Sequence, residues 1–155
     1  MINRDQASQS IKDELLKYGT YAANTSGTSM RPLFKTHRDA VVLKSVDRQM
    51  KKYDVVLYTD ATGRYILHRI IGIKGDSYVI RGDNTFDKEY VKKDEILAYL
   101  ISFNRNGKHG EITDFSYKAY SRIWNFIYPL RLVWHRLFNL AVRIKRKLFG
   151  RRSSK

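Results

Sequence analysis

The sequence predicts a mainly antiparallel β domain with a short helix before it and a helical tail after it. Three observations carry that prediction. Six short runs rich in Val, Ile, Leu and Tyr recur between Tyr21 and Phe103, most of them bounded by Gly, Asp, Asn or Thr. After Ser116 the apolar residues return at helical spacing instead. The 155 residues leave room for one domain of modest core plus an appendage. The expected organisation is therefore a helix over 1–19, a β domain over 20–115 and an amphipathic tail over 116–155.

In chain order, Ser10 reads as a helix cap with Asp13 three residues on, Ile11, Leu15 and Leu16 as a short apolar face, and Gly19 as the stop. That face packs against the sheet or meets a partner. Asp5, Lys12, Asp13, Glu14 and Lys17 interrupt any run a secretory signal would need. The strands expected next are Tyr21 to Thr25, Ala40 to Lys44, Asp54 to Tyr58, Tyr65 to Ile73, Ser77 to Arg81 and Ile96 to Phe103. Asp60-Ala61-Thr62-Gly63 and Lys74-Gly75-Asp76 are the hairpin turns between them. Together they predict a partly closed antiparallel domain in which His68 and Asp83 sit on neighbouring strands or their ends.

The chain has no cysteine, which removes disulfides, thiolate metal sites and a cysteine nucleophile together. Its net charge of +15 is uneven. Residues 1–115 hold 19 Lys and Arg against 15 Asp and Glu, whereas residues 116–155 hold 11 Lys and Arg and no acid. A cationic tail of this kind meets an anionic membrane surface or nucleic acid.

The stretch Ser26-Gly27-Thr28-Ser29-Met30-Arg31-Pro32-Leu33 puts a serine on a tight bend, with Gly27 tolerating unusual backbone angles and Pro32 restraining what precedes it. A serine becomes a nucleophile only with a base in reach and a group to orient that base. Downstream lie Leu67-His68-Arg69-Ile70, then Arg81-Gly82-Asp83-Asn84, then Asp87. His37, His109 and His135 are single and unpatterned, and no cluster has metal-ligand spacing, so neither metal nor cofactor is expected.

Four boxes, Gly27-Thr28-Ser29-Met30-Arg31-Pro32, Tyr53-Asp54-Val55-Val56-Leu57-Tyr58, Leu67-His68-Arg69-Ile70-Ile71 and Gly82-Asp83-Asn84, follow one another in an order that resembles the signal peptidase I superfamily of serine endopeptidases. Its soluble cousins include the self-cleaving LexA-type repressors. The resemblance covers residues 20 to 101. Bacterial signal peptidase I has Lys-Arg where this chain has His68-Arg69, so the chain looks more like the Ser-His branch found in endoplasmic-reticulum-type signal peptidases. It departs from those membrane enzymes in having no hydrophobic anchor ahead of the serine box.

The resemblance implies a hydrolase in which Ser29 attacks a peptide carbonyl while His68 serves first as base and then as acid. It also implies an orienting Asp. Asp83 sits in the motif proper, and Asp87 corresponds to the later family Asp only at shorter spacing, so both stand as candidates. The Ser29 N–H is the natural oxyanion donor, with Ser26 or Thr28 adding a hydroxyl. Several relatives use a serine two places before the nucleophile, where this chain has Gly27. Met30 packs beneath the turn or lines the substrate groove.

In the tail, Tyr117, Tyr120, Ile123, Trp124 and Ile127 lead to Pro129, and Leu130, Val133, Trp134, Leu137, Ala141, Ile144 and Leu148 continue the stripe. Arg136, Arg143, Arg146 and Lys147 fall away from it, with Arg131 and Lys145 at its edge. The uncharged run from Ile123 to Leu130 is far below the ~20 residues needed to span a bilayer. A basic helix of this composition suits an in-plane anchor on anionic lipid, with Trp124, Arg131, Trp134, Arg136, Arg143 and Lys147 as its contacts. It also suits covering the β domain or a partner's groove. Aromatics confined to the apolar face disfavour nucleic acid.

The expected function is a serine endopeptidase resembling signal peptidase, cytoplasmic and peripheral to the membrane, cutting a leader or signal-like segment, with a membrane protein as a further partner. The first alternative is a non-catalytic membrane- or nucleic-acid-binding module on a peptidase fold. A self-cleaving repressor-type switch ranks lower, because only 28 residues precede Ser29 and the chain has no Ala-Gly or Cys-Gly bond of the sort those relatives cut.

Overall fold

The computed structural model describes residues 4–149. The fold is mainly antiparallel β with helices at both ends of the chain. Eight strands are joined in one sheet: β1 (Thr20–Asn24), β2 (Ala40–Ser45), β3 (Val55–Thr59), β4 (Tyr65–Lys74), β5 (Ser77–Arg81), β6 (Glu89–Lys92), β7 (Ala98–Arg105) and β8 (Lys108–Glu111). The path runs β1-β2-β7-β3-β4-β5-β6, with β8 paired to the far end of β7. The helices are α1 (Arg4–Tyr18), α2 (Phe115–Phe126) and α3 (Tyr128–Phe149).

β3 explains how the sheet is sandwiched. Its Val55-Val56-Leu57-Tyr58 run has no polar alternation because both faces are covered. Val55 and Leu57 enter one core with Leu15 of α1, Met30, Leu33, Phe34, Leu43, Leu100, Phe103 and Tyr117 of α2. Val56 and Tyr58 enter a second core with Met50, Ile70, Tyr78, Ile80, Val91 and Ile96. Adjacent residues of one strand thus serve opposite faces, a fact that decides the partners of His68 and Arg69 below.

Both expected hairpin turns join the strands named for them, with Asp60 and Gly63 closing β3 to β4 and Gly75 (φ 58°) closing β4 to β5. α1 differs from expectation. Ser10 lies inside the helix rather than capping it, because Arg4 to Ser10 contain no glycine or proline to stop the helix running back to Arg4. Gly19 does end it, with φ 69° and its N–H donating to the Leu15 carbonyl at 3.0 Å.

The chain forms two compact units, one ending at Arg122 and the other beginning at Ile123. The boundary therefore falls within α2, not between 115 and 116. The reason is burial: Tyr117 and Ser121 belong to the interior of the first unit.

Candidate active site

Ser29 sits in a turn in which the Arg31 N–H donates to the Thr28 carbonyl at 3.2 Å. Gly27 precedes it at φ 77°, a conformation that favours glycine, and the Thr36 hydroxyl donates to the Gly27 carbonyl. Met30 is buried beneath the turn, with its carbonyl accepting from the Phe34 N–H at 3.0 Å. The turn is held from the other side by Asn84, whose backbone N–H donates to the Ser29 carbonyl at 2.7 Å and whose Nδ2 donates to the Thr28 carbonyl at 3.2 Å. Among the described residues, the Ser29 hydroxyl and N–H make no hydrogen bond within the chain.

His68 is buried on β4, opposite Val56 of β3. Its Nδ1 lies 3.1 Å from Glu89 Oε1 and 3.2 Å from the Tyr58 hydroxyl, and that hydroxyl donates to Glu89 Oε2 at 2.7 Å. Because the Tyr58 proton is committed to Glu89, the consistent arrangement puts a proton on Nδ1 and a lone pair on Nε2. That second nitrogen points at Gly82. A Cβ added there would lie 3.0 Å from His68 Nε2 and 2.8 Å from the Ser29 carbonyl oxygen, so imidazole and serine backbone flank one point. Burial holds the His68 pKa below its ordinary value, opposed by the Glu89 charge and hydrogen bond and to a smaller extent by Asp83. A neutral imidazole at pH 7 is the form a general base needs.

The carboxylate on the imidazole is thus Glu89, in place of the expected Asp83 or Asp87. Strand alternation is the cause. Arg69, next to His68 on β4, projects to the opposite face and takes Asp83 in a two-pronged pair, Nε to Oδ1 and Nη2 to Oδ2, both 2.8 Å. Both side chains are buried. Tyr120 also donates to Asp83 Oδ2 at 3.0 Å, and Arg69 Nη1 donates to the Tyr53 carbonyl, the Tyr117 hydroxyl and Ser121 Oγ. Burial alone would lower the Arg69 pKa, but Asp83 outweighs it and leaves it raised. Asp83 therefore ties the Gly82-Asp83-Asn84 turn to α2. Asp87 is exposed and makes no hydrogen bond or ion pair among the described residues.

No protein-family model matches the chain, and no curated protein is significantly similar to it. What the site can do rests on its own geometry.

Ser29 also stands at the rim of a cleft of about 550 Å³. Met30, Phe34, Val41, Leu43 and Leu57 form its buried floor, Tyr21 and Ala23 of β1 with Thr25 just after it one wall, and Tyr65, Ile66 and Leu67 of β4 another. Ser26 lies on the rim as well, whereas Thr28 is exposed and does not line the cleft. Two strand edges border it. β1 pairs with β2 alone, and β5 pairs with β4 only from Arg69 onward, so the outer edge of Ile66 to His68 faces no strand among the described residues.

Among the described residues no group of His, Asp and Glu is arranged to hold a metal ion. In the second unit, α3 exposes Leu130, Val133, Trp134, Leu137, Phe138, Leu140 and Ile144, with Trp134 at 74%. Arg136 and Arg143 are exposed, and Arg131 stacks 3.9 Å from the Trp124 ring centroid. Lys147 lies in α3 with its side chain outside the described residues. No described helix is long and apolar enough to cross a membrane.

Proposed function

We propose that the chain is a serine endopeptidase of the signal peptidase-like, Ser-His type, working at a membrane surface on a leader or signal-like peptide. One observation carries the reading: His68 has Nδ1 tied to Glu89 and Nε2 directed at the Gly82 turn that clasps Ser29. In the reaction His68 Nε2 takes the Ser29 hydroxyl proton as Oγ bonds to the scissile carbonyl carbon. The Ser29 N–H, uncommitted within the chain, stabilises the oxyanion. The imidazolium, held by Glu89, then gives its proton to the leaving amine as the C–N bond breaks. Water repeats the sequence on the acyl-enzyme, releasing the acid and restoring Ser29.

An extended peptide can pair with the open edges of β1 and of Ile66 to His68, placing its side chains alternately into the cleft. The exposed apolar stripe of α3, together with a segment carrying 11 Lys and Arg and no acid after Phe115, supports docking on anionic lipid from the cytoplasmic side. A membrane protein that presents substrate there is a fitting partner.

The reading is tested with a fluorophosphonate, which forms a stable ester with an activated serine. Mass spectrometry of digested protein finds the adduct on Ser29, and both Ser29→Ala and His68→Ala abolish it. A folded protein with no adduct sinks the peptidase. Vesicle binding by that inert protein would put the non-catalytic module in its place.

A further inference from the structure

Behind His68 lies a second buried group, the Tyr58 phenol of β3. Val56 and Tyr58 share one face of that strand, and because Val56 stands opposite His68, the Tyr58 side chain reaches the imidazole diagonally. The two rings meet edge-on with centroids 6.3 Å apart. Among the described residues the Tyr58 hydroxyl bonds to two groups alone: it donates to Glu89 Oε2 at 2.7 Å and faces His68 Nδ1 at 3.2 Å. Burial, then the hydrogen bond to Glu89 and the charge there, hold the phenol's pKa well above its ordinary value, so the hydroxyl keeps its proton. One proton thus stands between two acceptors. While Glu89 takes it, Nδ1 faces only oxygens that accept, and Nε2 is left bare. Glu89 depends on the phenol in turn. Its side chain is 40% exposed, and the bond to Oε2 holds the other oxygen against His68.

Resting on the peptidase reading, we infer that Tyr58 is a positioning residue of the Ser29, His68 and Glu89 site, and that its one phenolic proton decides which nitrogen of His68 can act as base. With Glu89 in place that proton is drawn away from the imidazole, and Nε2 is free to take the Ser29 proton. Without Glu89 the nearest acceptor left to the hydroxyl is Nδ1. Donation there moves the imidazole's own proton to Nε2, the side that faces the Gly82 turn, where it can no longer accept from Ser29. Glu89 therefore contributes its hold on the phenolic proton as well as its charge. Removing the Tyr58 hydroxyl should slow the intact site and quicken one that has lost Glu89. A ring that only filled the core would do neither, since phenylalanine has the same shape.

The experiment compares the full chain, carrying nitrogen-15 histidine, with Tyr58→Phe, Glu89→Ala and the double variant. At about pH 8, above the ordinary imidazole pKa of about 6.5, the ring nitrogen shifts show which nitrogen carries the proton. The His68 signals are assigned by their loss in His68→Ala, and the tautomer is read independently of activity. Fluorophosphonate labelling of Ser29, followed by intact mass, gives the rate. The proton is expected on Nδ1 in the unaltered protein and in Tyr58→Phe, on Nε2 in Glu89→Ala, and partly back on Nδ1 in the double variant. Tyr58→Phe alone labels about tenfold more slowly, through loss of one hydrogen bond to a charged group. Glu89→Ala labels about 10²–10⁴-fold more slowly, as a base held in the wrong tautomer does, and adding Tyr58→Phe to it restores about tenfold or more. A Glu89→Ala protein that keeps its proton on Nδ1, or a double variant no faster than Glu89→Ala, overturns the inference and leaves the peptidase standing. No adduct on the unaltered protein overturns both.

Discussion

A methyl group at position 82 would meet the Ser29 carbonyl at 2.8 Å, His68 Nε2 at 3.0 Å and Thr85 Oγ1 at 3.0 Å. The first of these is backbone and cannot swing away, so Gly82→Ala must push serine and imidazole apart. The expected outcome is a loss of about 10²-fold or more in fluorophosphonate labelling rate, since an ångström of misplacement costs that much. Circular dichroism should stay unchanged. Glu89→Gln removes the charge that holds the Nδ1 proton and stabilises the imidazolium. It should slow labelling by about 10²–10⁴-fold, while Asp87→Asn, at an exposed side chain, stays within about twofold. Ser29 and the Gly82-Asp83-Asn84 turn were marked in the sequence by their own turn residues, whereas His68 stands mid-strand on β4 and was picked out only by the order of boxes that resembles the signal peptidases. Glu89 was not. Nothing near it in sequence marks it, and it reaches His68 only because Glu89 pairs with Ile80 on β5 and Ile80 with Ile70 on β4.

Among the elements, legibility followed apolar content. The six expected strands all form, with ends shifted by two residues at most, as each carries buried Val, Ile, Leu or Tyr or half-buried positions in alternation. β6 has one buried residue, Val91, and the Lys-His-Gly-Glu run of β8 has no apolar side chain. Pairing with β5 and β7 makes them strands, and that comes from tertiary context. The helical spacing of Tyr117 and Tyr120 was visible, but their target was not, because only the fold brings them to Arg69 and Asp83. That link predicts an element-scale effect. Asp83→Ala leaves the fully buried Arg69 without its carboxylate and should cost about 3–5 kcal/mol in denaturant unfolding. Amides of α2 near Tyr117 to Ser121 should exchange faster with solvent. Unchanged exchange in a destabilised variant would mean that the pair does not secure α2.

At the scale of the whole chain, charge and chemistry are segregated: the first unit holds all 15 acids, and the site with them. The second carries exposed apolar side chains beside Arg136 and Arg143. Trp134 fluorescence should therefore shift to the blue on adding vesicles with phosphatidylserine, and the effect should fade with salt. Arg136→Ala and Arg143→Ala should each weaken binding by about 1 kcal/mol. Equal affinity for uncharged vesicles would contradict an electrostatic anchor. If a buried, neutral His68 activates Ser29, the rate of Ser29 labelling must follow the protonation of that imidazole with pH. Burial lowers the His68 pKa from 6.5, so the base form persists through neutrality and is lost only as pH falls below 6.5. Glu89→Gln removes an influence that raises this pKa and should carry the midpoint lower still. A single acid limb is expected, with its midpoint below pH 6.5 in the unaltered protein and lower in Glu89→Gln; a midpoint above 6.5, or no Ser29 adduct at any pH, would rule out His68 as the base.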